Sequence, residues 1–506
     1  MKNLTFAFLA GCIVSSCSSS YQHTAQLYPP IDAKGVNPDT HLTLTFNSVP
    51  VIGDSGMIRV YDVATGEMVD RLDMSIPAGP AESRTYGDDC DYTKVPYDYA
   101  RASVPTNRDT KAGAPSGTAI ADTTDYQLTI IGGFTDGFHF HPIIVRDSTA
   151  TIYLHNNILL PGKTYRVEID PGVITTPAGD FDGITDWKFT TRGELTSTTD
   201  TITVSPNGDA DFNTVQGALD HIPDFSDCHY VISIAPGDYE EIVYARNKSN
   251  ITITGAGEDN TIVHYANNEV FNPHPLNVKT NEWPGTFPSR RAAFALDNCC
   301  DILIKDITIA TDLKGQAEGL LLMGDRIALY NVHIIGSGDA LQANGTVYME
   351  DCQVDGDGDT ILGRGALYAY HCDFRNDGGP FTWVRNTKGN HGDIFVECTF
   401  STDNGTPVDF GRTRTNHGIG YPDAEQVLID CKVANARPEG WSSIGFPSAT
   451  MLEYNTTDIN TGKPVDVSGR HPFSRQLTLP ADSAVIDFYR TPANILKGWT
   501  GRYGDK

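Results

Sequence analysis

Two aspartates twenty residues apart, Asp339 and Asp359, have the residue type and spacing best suited to chemistry. Their contexts run nearly parallel: Gly338-Asp339-Ala340-Leu341, then Gly358-Asp359-Thr360-Ile361-Leu362-Gly363. In a repetitive β-structure with a coil of about twenty residues, positions one coil apart lie about 4.8 Å from each other, the spacing of adjacent strands. Two carboxylates held that close do not both ionise readily. One is driven toward the acid form and the other needs a cation to stay charged, which suits a general acid beside a nucleophile. Cations cluster in the same half of the chain: Arg364, Arg375, Arg385, Lys388, Arg412 and Arg414. The competing reading is structural, since aspartates at β-helix turns also accept hydrogen bonds from backbone amides.

Short strands must position these groups. Apolar runs recur from Tyr230 to Ala235, Ile251 to Thr254, Ile302 to Ile304, Leu320 to Met323 and Ile327 to Ile335. Four later segments share one pattern, centred on Cys352, Cys372, Cys398 and Cys431, with each Cys two residues before an apolar residue and on the same side of its strand. Stacking the coils would gather these thiols into a buried column of small hydrophobes rather than disulfides or a metal site. One short strand run per 20 to 33 residues, without intervening helices, predicts a parallel β-helix. Phe212, Val215, Ala218, Leu219 and Ile222 have helical spacing ended by Pro223, which predicts a capping helix over 213–222.

Residues 28–194 read as a separate unit of alternating strands, such as Leu42-Thr43-Leu44-Thr45-Phe46 and Tyr165-Arg166-Val167-Glu168-Ile169, with a long insertion at about 80–135. The unit resembles the immunoglobulin-like sandwich modules that precede catalytic domains in exported bacterial proteins. His139 and His141 share a strand face within it. Without further ligands nearby, they read as a surface pair rather than a metal site.

Residues 1–17 read as a lipoprotein signal, with Lys2, a short apolar core from Leu4 to Val14, and the lipobox-like Val14-Ser15-Ser16-Cys17. Cys17 is the expected lipidation site, residues 18–27 the tether, and a plain cleaved signal the alternative. This predicts an exported lipoprotein of a Gram-negative bacterium, in the periplasm or on the outer membrane and cell surface. With 506 residues, two or more domains are expected. The formal charge of −27 argues against nucleic acid as a partner and requires a local basic site for any acidic polymer.

From about Thr201 to Arg490 the chain resembles the pectin methylesterase (pectinesterase) family of carbohydrate esterases. The resemblance rests on collinear segments: 211–223, Ile234 to Glu241, Ile251 to Gly255, Gly315-Gln316-Ala317, Gly324-Asp325-Arg326, Leu329-Tyr330-Asn331, Gly336 to Leu341, Gly356 to Gly363, and Phe410-Gly411-Arg412. It implies an all-β protein, with a right-handed parallel β-helix over 198–506 behind the sandwich. It also implies hydrolysis of galacturonate methyl esters in pectin, whether homogalacturonan or rhamnogalacturonan fragments, without cofactor or metal. By the same resemblance Asp359 is the nucleophile, Asp339 the general acid and base, Arg412 the cation holding the nucleophile charged, and Gln316 the amide donor to the oxyanion.

Three positions depart from the family pattern. Gly338 stands where a second glutamine is usual, Thr360 where phenylalanine is usual, and Arg414 where tryptophan is usual. Gln342 is a candidate substitute amide. Arg414 is a candidate for binding a neighbouring carboxylate, which guanidinium matches bidentately. Trp383 and Tyr421 are candidate sugar-stacking residues. Two other functions compete: a calcium-dependent β-helical pectate lyase using Asp355, Asp357 and Asp359, and a catalytically inactive pectin-binding lipoprotein.

Overall fold

The computed structural model describes residues 25–80, 126–132, 138–177, 179, 181–195, 200–272, 290–415 and 418–503. Cys17, the export segment and most of the insertion at about 80–135 lie outside these residues.

The first unit consists of two sheets packed face to face. One orders Gln26–Tyr28, Leu42–Thr45, Thr149–Ile152 and Ile143–Arg146. The other orders Ala33–Val36, Ile184–Thr191, Thr164–Ile169, Met57–Asp62 and Met68–Asp73. Alternation decides which side chains enter: Leu42 and Leu44 meet Ile58, Val60, Val167, Trp187 and Phe189 in one core. The buried Trp187 indole donates to the Pro29 carbonyl at 2.8 Å.

The second unit is a parallel β-helix of 23 strands in one continuous ladder system, starting at Thr201–Val204 and ending at Ser474–Gln476. Its strands stack into three faces. The face relevant here stacks Val243–Arg246, the start of Phe294–Thr311, the start of Leu320–Ile335, Leu341–Ala343, Ile361–Gly363, Thr382–Val384 and Gly411–Arg412. Phe294, Leu320, Leu341 and Ile361 point inward in register and fill the core. Tyr244, Ala295, Leu321, Gln342, Leu362, Trp383 and Arg412 form the matching outward row.

The repeated cysteine pattern has a backbone origin. Asp306, Asn331, Asp351, His371, Glu397, Asp430 and Asn455 all adopt φ between 51° and 56°, turning the same corner in successive coils. The residue after each corner points inward. Cys352, Cys372, Cys398 and Cys431 are therefore buried, free thiols in the helix core. Corner side chains bond along the stack, as Asn331 Nδ2 does to Asp306 Oδ1 at 3.0 Å and Asn455 Nδ2 to Asp430 Oδ1 at 2.8 Å.

The helix Val215–His221 closes the open end of the β-helix. Thr214 Oγ1 accepts from the Gly217 amide as its N-cap, and the Glu241 carboxylate accepts from the Val215 and Gln216 amides. The first unit docks on this same end. Asp39 accepts from the Asn213 and Thr214 amides at 2.8 Å, and Asn156 and Asn157 donate to Asp220. Phe138 packs on Tyr244, 4.5 Å between ring centroids.

This contact corrects one expectation. His139 is fully buried between the units, with Nδ1 bonded to the Phe271 carbonyl at 2.6 Å, and His141 stacks on the Phe271 ring. The pair does not lie on the surface, because the β-helix covers the strand face that carries it.

Candidate active site

Three acids stand in one column on the outer face. Glu318, Asp339 and Asp359 each precede by two residues a strand residue of the in-register series Leu320, Leu341 and Ile361. Adjacent coils thus stack three carboxyl groups at roughly strand spacing, an arrangement stable only if cations or protons compensate it.

Arg291 compensates one end. Its Nη2 donates to Asp339 Oδ2 at 2.6 Å, its Nε to both Glu318 oxygens at 2.9 and 2.8 Å, and its Nη1 to Glu269 at 2.9 Å. The same Nη1 also meets the Gln316 Oε1. Burial pushes the Asp339 carboxyl up to about 7; Arg291 opposes this, Glu318 and Asp359 add to it, and Arg385 opposes it again. Near neutral pH Asp339 can therefore both give and take a proton.

Arg412 compensates the other end. Its Nη2 donates to Asp359 Oδ2, while Asp359 Oδ1 is buried with no hydrogen-bond partner. Burial also raises the Asp359 carboxyl, against the opposing fields of Arg412, Arg385 and Arg414. With three cations facing it, Asp359 is the member of the pair that ionises first. Its second oxygen is held by no donor.

Beside Asp359 the half-buried Trp383 indole carries a guanidinium cluster. The Cζ atoms of Arg412, Arg385 and Arg414 lie 4.4, 4.5 and 5.7 Å from its ring centroid. Arg414 is exposed, and its carbonyl accepts from Trp383 Nε1 at 3.3 Å. Together they make a positive rim in a chain that is negative overall.

The expected site residues divide into two groups. Asp339, Asp359, Gln316, Arg412, Arg414 and Trp383 converge. Gln342 lies on the same outward row but is 1 % exposed, with Oε1 unpartnered, so it does not reach a bound substrate as a second amide. Tyr421 is 4 % exposed with its ring in the helix core, so it presents no open face for stacking a sugar. Gly338 has φ +72°, and a Cβ there would meet the Gly315 carbonyl oxygen at 2.7 Å. The backbone itself thus excludes a glutamine at this turn.

The alternating aspartates do not form a calcium cage. Asp355 pairs with His333 and Gln353, while Asp357 accepts from Ser337, the Gly338 amide and Lys314. Among the described residues, no group of three or more His, Cys, Asp and Glu side chains converges as a metal site.

Arg291, Glu318 and Glu269 escaped the sequence reading. The available signal was Glu318 itself, an acid embedded in Gly315-Gln316-Ala317-Glu318-Gly319-Leu320 just before a buried strand.

These features define the class: a parallel β-helix protein that carries an aspartate pair gripped by two arginines. Residues 201–387 match the Pectinesterase family model. The chain is 29% identical over 290 residues to Pectinesterase 31 of Arabidopsis thaliana, spanning 56% of this chain and 89% of the plant protein. It is 27% identical over 297 residues to Probable pectinesterase 8 of the same plant, spanning 56% and 72%. The solved structure of pectin methylesterase from carrot aligns at 21% identity with a TM-score of 0.48, covering 60% of this chain and 95% of that one.

Proposed function

We propose that the β-helical unit hydrolyses methyl esters of galacturonate units in pectin, releasing methanol. Asp359 Oδ1 attacks the ester carbonyl carbon, and the negative charge passes to the carbonyl oxygen. Gln316 Nε2, which meets no acceptor among the described residues, donates to that oxyanion. Asp339 in its acid form protonates the departing methoxide, leaving an acyl-Asp359 anhydride and an ionised Asp339. Asp339 then takes a proton from water as the water attacks the anhydride, which frees the galacturonate carboxylate and regenerates both aspartates. The guanidinium rim around Trp383 attracts the acidic polymer.

One observation carries this reading. Asp359 has one oxygen held by Arg412 and the other unpartnered, one coil away from a carboxyl pushed up to about 7. The test is methanol release from methylated galacturonan by the chain from Tyr21 onward. Release that disappears in Asp359→Ala supports the proposal. Retained binding without any release would support the inactive binding protein instead.

We propose further that the chain is exported and lipid-anchored through Cys17, in the periplasm or at the cell surface, and that its first unit is an immunoglobulin-like module. The lipobox-like run supports the anchor and the two-sheet packing supports the module. Metabolic labelling with a fatty-acid analogue should mark the full chain and not Cys17→Ala; equal labelling of both would refute the anchor.

A further inference from the structure

We infer that Arg291 is a positioning residue for this site, with one guanidinium fixing the orientation of Gln316 and setting the charge state of Asp339; the inference rests on the esterase reading above. The fork geometry carries the first role. Guanidinium donates and never accepts, so the atom of Gln316 that faces Arg291 Nη1 is its carbonyl oxygen. The amide nitrogen is thereby turned away, toward the side where it meets no acceptor among the described residues. Glu318 and Glu269 in turn hold the fork through Nε and Nη1. Lysine would keep the charge but lose the fork.

The second role follows from the acid column. The charged groups facing Asp339 are Arg291, Glu318, Asp359 and Arg385. Without the Arg291 charge, Asp339 faces two carboxylates and one cation, and holds its proton to higher pH. It still serves as the acid for methanol departure but returns poorly as the base for water. Neutralising Glu318 has the opposite effect, and Asp339 loses its proton at lower pH. A merely structural arginine predicts no such opposed displacements.

The experiment compares kcat and KM for methanol release across about pH 5–9, the range in which such an acid and base report. It also follows the carboxyl titration of 13C-aspartate-labelled protein, with the Asp339 signal assigned by its loss in Asp339→Asn. Arg291→Met should move the alkaline limb of kcat/KM and the Asp339 titration upward. Glu318→Gln should move both downward. Arg291→Lys should leave the limb near its original position while lowering kcat by up to about 10²-fold at unchanged KM, the penalty of a misoriented donor. Unmoved limbs in Arg291→Met and Glu318→Gln, or full kcat in Arg291→Lys, would overturn the inference. Should Arg291→Met not fold, by circular dichroism, Glu318→Gln and Arg291→Lys decide. If the parent chain releases no methanol, the esterase reading fails. The Asp339 titration then still decides whether Arg291 sets its charge, and an unmoved titration overturns that part.

Discussion

Asp339 and Asp359 occupy the same place in successive coils, two residues before the in-register partners Leu341 and Ile361. Strand pairing therefore brings them together. Arg291 grips one and Arg412 the other, which gives the two carboxyls different surroundings.

Replacing either aspartate should separate activity from stability. Asp339→Asn should lower kcat by about 10²–10⁴-fold, the usual weight of a general acid or base. Asp339 ionises in the folded chain near 7 and ordinarily near 3.8. The folded state therefore loses stability as pH rises from about 4 through about 7. Asp339→Asn should thus melt higher than the parent at pH about 8 and close to it at pH about 4. Calorimetry at the two pH values checks this.

Gln316→Ala should lower kcat by about 10²–10³-fold, or about 2.7–4 kcal/mol of barrier, with little change in KM. The loss falls on kcat because the amide meets full charge only once the oxyanion forms. Steady-state methanol release separates the two parameters.

The cationic rim should act on binding. Arg414→Ala should raise KM for the polymer with a smaller effect on kcat. It should also flatten the dependence of KM on salt, since screening weakens exposed charges. Kinetics at low and high ionic strength read this out.

The junction between the units should weaken with rising pH. Burial pushes the Glu241 carboxyl up to about 7 and the Asp39 carboxyl up to about 6. Both contribute fully when protonated and cost stability as pH rises through those values. The Val215 and Gln216 amides donate to different Glu241 oxygens, so Glu241→Gln keeps an acceptor for one of them and sets its NH2 group against the other. Its melting temperature relative to the parent should therefore be higher at pH about 8 than at pH about 5.

Gly338→Gln should destabilise the chain rather than restore a second amide. Positive φ at a non-glycine residue costs about 1–3 kcal/mol, and the added Cβ meets the Gly315 carbonyl at 2.7 Å. Urea unfolding should show the lower midpoint, and methanol release should not rise above the parent.

Much of this arrangement was legible because a β-helix is a local code. The partner of Leu341 is Ile361, about one period along the chain, so the spacing of Asp339 and Asp359 announced their proximity. The cysteine pattern announced the corners for the same reason, since a left-handed residue before each Cys aims it inward at every turn. Alternation marked the sandwich strands, whose Leu42 and Leu44 face a single core.

Other features depended on what covers each coil from outside, and the period does not constrain that. Gln342 and Tyr421 carry suitable groups in suitable stretches, yet neighbouring segments bury them. His139 alternates as a surface residue would, and the second unit covers its face. Arg291 lies 48 residues from the aspartate it holds and in no motif with it. The sequence alone determined the coil, the order of the candidate catalytic groups and their spacing, because each is written in residues one period apart. Only the tertiary structure decided the charge and orientation of those groups, because buried ion pairs form between side chains that the winding of the coils brings together.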